Sequence, residues 1–86
     1  MKVKVEYYAT LREKLGVKDE EAEVDERACV EDLLKLLVSR RGEALAEDLT
    51  ECRVLVNGKD IEGLEGNKTV LKEGDTISLF PPVAGG

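Results

Sequence analysis

Val30-Glu31-Asp32-Leu33-Leu34-Lys35-Leu36-Leu37-Val38-Ser39-Arg40-Arg41 is the stretch that decides the fold. Val30, Leu33, Leu34, Leu37 and Val38 return at the helical period, so one stripe of the segment is apolar. Glu31 and Asp32 fall in the first turn and Arg40 and Arg41 in the last, each at the pole of the helix dipole that favours its charge. Gly42 supplies the stop. Cys29 takes the cap position, where Ser, Thr or Asp would serve better, so a slightly weakened helix start is expected. A single amphipathic helix needs another surface to cover its stripe, and the flanking segments read as a sheet.

On the N-terminal side, Lys2 to Tyr8 alternates, with Val3, Val5 and Tyr7 on one face and Lys2, Lys4, Glu6 and Tyr8 on the other, the pattern of a half-buried strand. Ala9 to Leu15 is a short helical turn, with Thr10 as N-cap, Glu13 as its capping-box partner and Gly16 as stop. Leu11 and Leu15 share a face. Glu20 to Asp25 is a second strand, with Ala22 and Val24 inward and Glu21, Glu23 and Asp25 outward, pairing with the first as a hairpin. On the C-terminal side, Glu43 to Asp48 forms a second short helical segment that turns Leu45 and Leu49 inward. Arg53 to Val56 is a third strand with Val54 and Val56 inward, closed by the Asn57-Gly58 turn signal. Ile61 to Leu64 is a short edge strand or turn, and Glu65-Gly66-Asn67 another turn. Thr69 to Leu71 leads through the polar turn Lys72-Glu73-Gly74-Asp75 to a last strand, Thr76 to Phe80. That strand points Ile77 and Leu79 inward and Thr76, Ser78 and Phe80 outward.

The order strand, strand, helix, strand, short strand, strand defines an α+β layer. The first and last strands become neighbours only if both run centrally and parallel, which is the ubiquitin-like β-grasp arrangement. The expected fold is therefore a mixed sheet of four to five strands packed against one long helix. Residues 1–80 form the domain and residues 81–86 an extended tail.

Composition narrows the function. A chain of 86 residues is one small domain. A net charge of −6 argues against nucleic acid, which requires clustered Lys and Arg, and suggests a basic partner surface. The N-terminal stretch lacks the apolar core of a signal peptide, and no apolar run approaches membrane-spanning length, so the expected location is the cytoplasm, away from any membrane. There is no histidine, which removes the commonest neutral-pH acid–base group. Cys29 and Cys52 lie far apart and read as free, half-buried fillers, so neither a disulfide nor a metal site is expected.

The remaining signal is the tail, Phe80-Pro81-Pro82-Val83-Ala84-Gly85-Gly86. Proline fixes its own φ and pushes the preceding residue toward extended geometry. Seven extended residues reach roughly 20–25 Å. Gly85 and Gly86 present no side chains, so a terminal carboxylate could be threaded where nothing bulkier fits. Tyr8 and Phe80 end the first and last strands on the outward face, and parallel pairing would set them side by side at the root of this arm. Leu55 on the third strand joins the same face. Exposed aromatics beside an extended arm read as a docking anchor.

The stretches Tyr7-Tyr8-Ala9-Thr10-Leu11-Arg12-Glu13, Val56-Asn57-Gly58, Gly74-Asp75 and Phe80-Pro81-Pro82-Val83-Ala84-Gly85-Gly86 resemble the MoaD family, the small subunit of molybdopterin synthase. The resemblance implies a sulfur carrier with no bound cofactor. A MoeB-type, E1-like enzyme would use ATP to adenylate Gly86, and sulfur would replace AMP to leave a C-terminal thiocarboxylate. The tail, with Pro81, Pro82, Val83, Ala84 and Gly85 threading the way, would then enter a MoaE-type large subunit. There Gly86 would give its sulfur to a cyclic pyranopterin monophosphate for the dithiolene of molybdopterin. The family also implies a heterotetramer of small and large subunits, with Tyr8, Leu55 and Phe80 at partner-binding positions. The chain would be no enzyme by itself, the catalytic groups lying on the large subunit. A ubiquitin-like modifier joined through Gly86 to lysines, or a sulfur carrier for thiamine or tRNA thiolation, needs the same activated end.

Overall fold

In the computed structural model, which describes residues 1–82, the first alternating stretch forms strand β1 (Lys2–Tyr7). The chain continues through helix α1 (Ala9–Leu15), β2 (Asp19–Glu23), α2 (Val30–Arg41), α3 (Ala44–Glu51), β3 (Arg53–Val56) and β4 (Lys59–Asp60). Two 3-10 turns, Ile61–Gly63 and Gly66–Lys68, precede β5 (Thr76–Phe80). The strands form one sheet in the order β2-β1-β5-β3-β4. The first and last strands are central neighbours and run parallel, with Lys4 opposite Thr76 and Tyr7 opposite Leu79; the other pairings are antiparallel. This is the expected ubiquitin-like β-grasp.

Alternation decides which face is covered. Val3, Val5 and Tyr7 of β1, Val54 and Val56 of β3, and Ile77 and Leu79 of β5 are all buried. Val30, Leu33 and Leu37 of α2 and Leu45 and Leu49 of α3 join them in one core. The Asn57-Gly58 turn takes left-handed φ at both residues, +51° and +84°, as the tight hairpin between β3 and β4 requires. The Asn57 side chain donates to Asp75 Oδ1 at 2.8 Å and its Oδ1 accepts the Thr76 N–H at 2.9 Å. The other Asp75 oxygen accepts the Lys72 N–H at 2.8 Å. Two sequence motifs 18 positions apart thus form one hydrogen-bonded corner that sets the start of β5.

Several local expectations need correction. Thr10 is not the N-cap of α1: the helix begins at Ala9, Tyr8 occupies the cap position, and no side chain caps it. The left-handed Ala9, at φ +50°, makes the abrupt change from strand to helix there. Of the two readings of Ile61 to Leu64 the turn holds: Ile61–Gly63 is a 3-10 turn that buries Ile61, and the short edge strand lies just before it at Lys59–Asp60, because the two-residue Asn-Gly turn returns the chain to pairing at once. The second strand starts at Asp19 and stops at Glu23, with Val24 buried beyond its end. The second short helix runs from Ala44 to Glu51. Within the α2 stripe, Leu34 and Val38 are only half-buried. Cys29 and Asp32 form a capping box, the Cys29 side chain facing the Asp32 N–H while the Asp32 carboxylate accepts the Cys29 N–H at 2.9 Å, and this supports the helix start.

Glu20 was missed. It lies opposite Val5 and therefore points toward the helices from the edge strand. Its carboxylate accepts hydrogen bonds from the buried Tyr7 hydroxyl, from Arg41 Nε at 2.7 Å and from Arg40 Nη1 at 3.0 Å. Arg41 also sits 5.6 Å from the centre of the Tyr7 ring. The charged end of α2 is thereby tied to the sheet by one carboxylate.

Candidate functional site

The uncovered face of the sheet carries the site. Beyond β1 the backbone stays extended for one more residue, and the Tyr8 N–H donates to the Leu79 carbonyl at 3.2 Å. This extra rung sets Tyr8 beside Phe80. Their rings stack with centroids 4.2 Å apart and planes 14° from parallel. Such a pair contributes about 0.5–1.5 kcal/mol beyond the area it covers. Both rings remain half-exposed, so they form a small rigid platform without being core.

Three side chains hold the platform. The Tyr8 hydroxyl donates to Glu6 Oε1 at 2.8 Å, and the Ser78 hydroxyl reaches the same oxygen at 3.2 Å. The bond from Tyr8 holds the Glu6 carboxyl below its ordinary range, aided by Ser78 and Lys4 against the opposing effect of burial. The same bond raises the Tyr8 phenol. Arg12 lies 5.4 Å from the Tyr8 ring centre while its Nε donates to the Tyr7 carbonyl at 3.0 Å. A guanidinium at that distance supports a cation–π attraction. Arg53 faces Phe80 across the β3–β5 pairing and is 3.2 Å from Asp60.

Tyr8 and Phe80 are brought together as their parity requires. Leu55 is half-buried and lies opposite Ser78, so it shares the face but sits one pair behind Phe80. Pro81 is half-buried and Pro82 exposed immediately after the platform. Val83, Ala84, Gly85 and Gly86 lie outside the described residues. Glu6, Ser78 and Arg12 were not singled out as site residues, although the signal was present: Glu6 has the parity of Tyr8, Ser78 that of Phe80, and Arg12 follows Tyr8 by four positions. Among the described residues no cluster of His, Cys, Asp and Glu could hold a metal ion, and no helix is long and apolar enough to cross a membrane.

A β-grasp domain whose last strand delivers a proline-led segment beside an aromatic platform defines the class, a ubiquitin-like carrier. The ThiS family pattern matches residues 5–86, and the chain belongs to that ThiS/MoaD family of sulfur carriers. Over 93 aligned residues it is 39% identical to small archaeal modifier protein 3 of Haloferax volcanii, with all of both chains covered. It is 33% identical to the molybdopterin synthase sulfur carrier subunit of Chlamydomonas reinhardtii, again over the whole of both. The structure of a putative molybdopterin converting factor subunit 1 from Pyrococcus furiosus superposes with a TM-score of 0.81 at 34% identity, covering 96% of this chain and 99% of that one. A Helicobacter pylori complex of molybdopterin-converting factor subunits 1 and 2 contains a chain similar to this one, with a TM-score of 0.69, 27% identity and full coverage of both. Proteins of this kind act with partners and are not catalysts on their own.

Proposed function

We propose that this chain is the sulfur-carrying small subunit of a molybdopterin synthase. The Gly86 carboxylate attacks the α-phosphorus of ATP on a MoeB-type, E1-like enzyme, and pyrophosphate leaves. Hydrosulfide, the sulfide-level donor, then attacks the acyl carbon, AMP leaves, and a thiocarboxylate results. In a MoaE-type large subunit the tail gives its sulfur to a cyclic pyranopterin monophosphate. The observation that carries this reading is the Tyr8–Phe80 stack, 4.2 Å between centroids, at the root of the segment that leads to Gly85-Gly86. A stacked, half-exposed aromatic pair held by Glu6, Ser78 and Arg12 suits a docking anchor that keeps its shape before the partner arrives. The absence of histidine agrees with a division of labour in which the chain brings a reagent and the partner brings the catalytic groups. The relative named as a sulfur carrier subunit supports the same reading.

A second reading, a protein modifier joined to lysines through Gly86, is favoured by the relative named as a small archaeal modifier protein. Both readings need an activated Gly86. The test incubates the protein with an E1-like activator, ATP and a sulfur donor, and then with a large subunit and the pyranopterin. The first reading expects the oxygen-to-sulfur mass increase on the C-terminal peptide, followed by product. Removal of Gly86 should abolish both without changing the melting temperature, since the shortened arm misplaces the acyl carbon by about 3.5 Å. Sulfur uptake by the deletion variant would overturn the reading. Lysine conjugates in the host, without pterin product, would favour the second.

A further inference from the structure

The side of the molecule away from the exposed sheet face is hollowed between α2, α3 and β3. The open cavity there measures about 780 Å³. Its floor is apolar, built from Leu34 and Val38 of α2, Ala46 and Leu49 of α3, Val54 of β3 and Ile61 of the first 3-10 turn. Leu34 and Val38 belong to the same helical stripe as Leu33 and Leu37, which are fully buried. They are the part of that stripe the fold leaves half-covered, and Ala46 on α3 is half-covered with them.

The rim has a definite sign. Glu31, Glu43, Glu51 and Glu62 line the cavity against Lys35, and Arg53 and Asp60 reach its edge from the sheet as a matched pair; counting Lys68, which pairs with Glu31, the surplus is two negative charges. Lys35 and Lys68 share the Glu31 carboxylate, at 3.9 and 3.4 Å, and Arg53 is 3.2 Å from Asp60. Glu43, Glu51 and Glu62 make no ion pair among the described residues.

We infer that this groove is a second docking surface, separate from the aromatic platform, and that its occupant is an apolar segment of a partner protein flanked by lysine or arginine. The volume lies within the range of about 300–1,000 Å³ typical of ligand pockets, room for a few large apolar side chains. Charge complementarity selects the occupant. A second copy of this chain carries a net charge of −6 and would bring acidic groups against an acidic rim. An anionic lipid surface is repelled for the same reason. A basic-flanked apolar segment instead finds carboxylates around the pocket that receives it.

The test uses the full chain, 15N-labelled, titrated with three synthetic peptides while amide shifts are followed. The first alternates leucines with lysines in a helical pattern; the second replaces each lysine by glutamate; the third replaces each leucine by serine. The expected result is a set of shifts centred on Leu34, Val38, Ala46 and Leu49 for the first peptide, weakening with salt. Both control peptides should bind at least about tenfold more weakly. Ala46→Arg, which fills the groove, should weaken the first peptide by about tenfold or more. If that variant loses its cooperative melt, Glu43→Lys/Glu51→Lys/Glu62→Lys, at three exposed positions, carries the test and should reverse the preference between the lysine and glutamate peptides. Shifts centred on any other surface, a serine peptide binding as well as the leucine one, or an unchanged preference after charge reversal would overturn the inference. None of these readouts depends on sulfur chemistry at Gly86.

Discussion

Replacing Glu20 with alanine tests how the edge strand is held to the helices. The side chain is 16% exposed and accepts from three donors. Arg40 and Arg41 are partly open to water, at 40% and 23%, and regain much of their hydration when the carboxylate is lost. The Tyr7 hydroxyl cannot do so easily, because Tyr7 is fully buried. Leaving one buried hydroxyl without a partner costs about 1–3 kcal/mol, and a lost charge-assisted bond about 1.5–3 kcal/mol. Since these overlap, the expected net loss is about 2–3 kcal/mol. Unfolding entropy for a chain of this size is roughly 0.18 kcal/mol/K, so the melting temperature should fall by about 11–17 °C at neutral pH. Calorimetry measures this directly. Tyr7→Phe removes the same bond without leaving an orphan and should cost about 1 kcal/mol, with the double variant losing less than the two singles together. Burial pushes the Glu20 carboxyl up, but hydrogen bonds from Arg41, Tyr7 and Arg40 outweigh it, and the folded pKa lies below the ordinary value. The contribution is therefore complete above the unfolded value of about 4.3 and is lost as pH falls through the lower folded value. Wild type should lose stability in that acid window more steeply than Glu20→Ala. A melting shift under about 3 °C, with additive doubles, would refute the account.

Leu33→Ala or Leu37→Ala removes a fully buried branched side chain and should cost about 2–4 kcal/mol in urea melts. Tyr8→Ala and Phe80→Ala should each leave the chain folded, with the melting temperature lowered by roughly 3–8 °C through loss of the stack, while weakening affinity for a MoaE-type large subunit by about 1–3 kcal/mol, as read by calorimetry. Cys52 is held back by burial, and further by Asp48 and Glu51, which push its thiol up to about 11. Its alkylation near pH 8 should therefore be on the order of a hundredfold slower in the folded protein than in denaturant, with peptide mass spectrometry as the readout.

The periodic segments were legible because their side chains face one environment all along. The α2 span, the alternation of β1 and the inward Ile77 and Leu79 of β5 follow from that alone, and the parallel neighbours follow from fitting them into one layer. Local chemistry was less legible where tertiary contact overrides it. Thr10 has the right residue type for a cap, but the helix begins at the left-handed Ala9, and the cap position falls on Tyr8, two residues before Thr10. Glu20 obeys strand parity yet reads as one more acid in an acidic strand. Only the packing of α2 across the sheet supplies Arg40 and Arg41 to it. At the site, parity found Tyr8 and Phe80, but the bonds from Tyr8 and Ser78 to Glu6 join residues 72 positions apart at the widest, a separation no local pattern reports.

The central parallel pair of β1 and β5 also governs when the molecule can act during its own synthesis. β5 is the last strand made, yet it fills the middle of the sheet between β1 and β3. Until it emerges, the hairpin of β1 and β2 and the hairpin of β3 and β4 have no strand joining them, and Tyr8 has no ring to stack against. Closing the first strand onto the last is a non-local pairing, of the kind that slows folding. A nascent or truncated chain therefore has open sheet edges and no platform. Gly86 follows β5 in the chain, so a copy that stops short of β5 lacks the terminal carboxylate and the platform alike, and strand order makes the two available together.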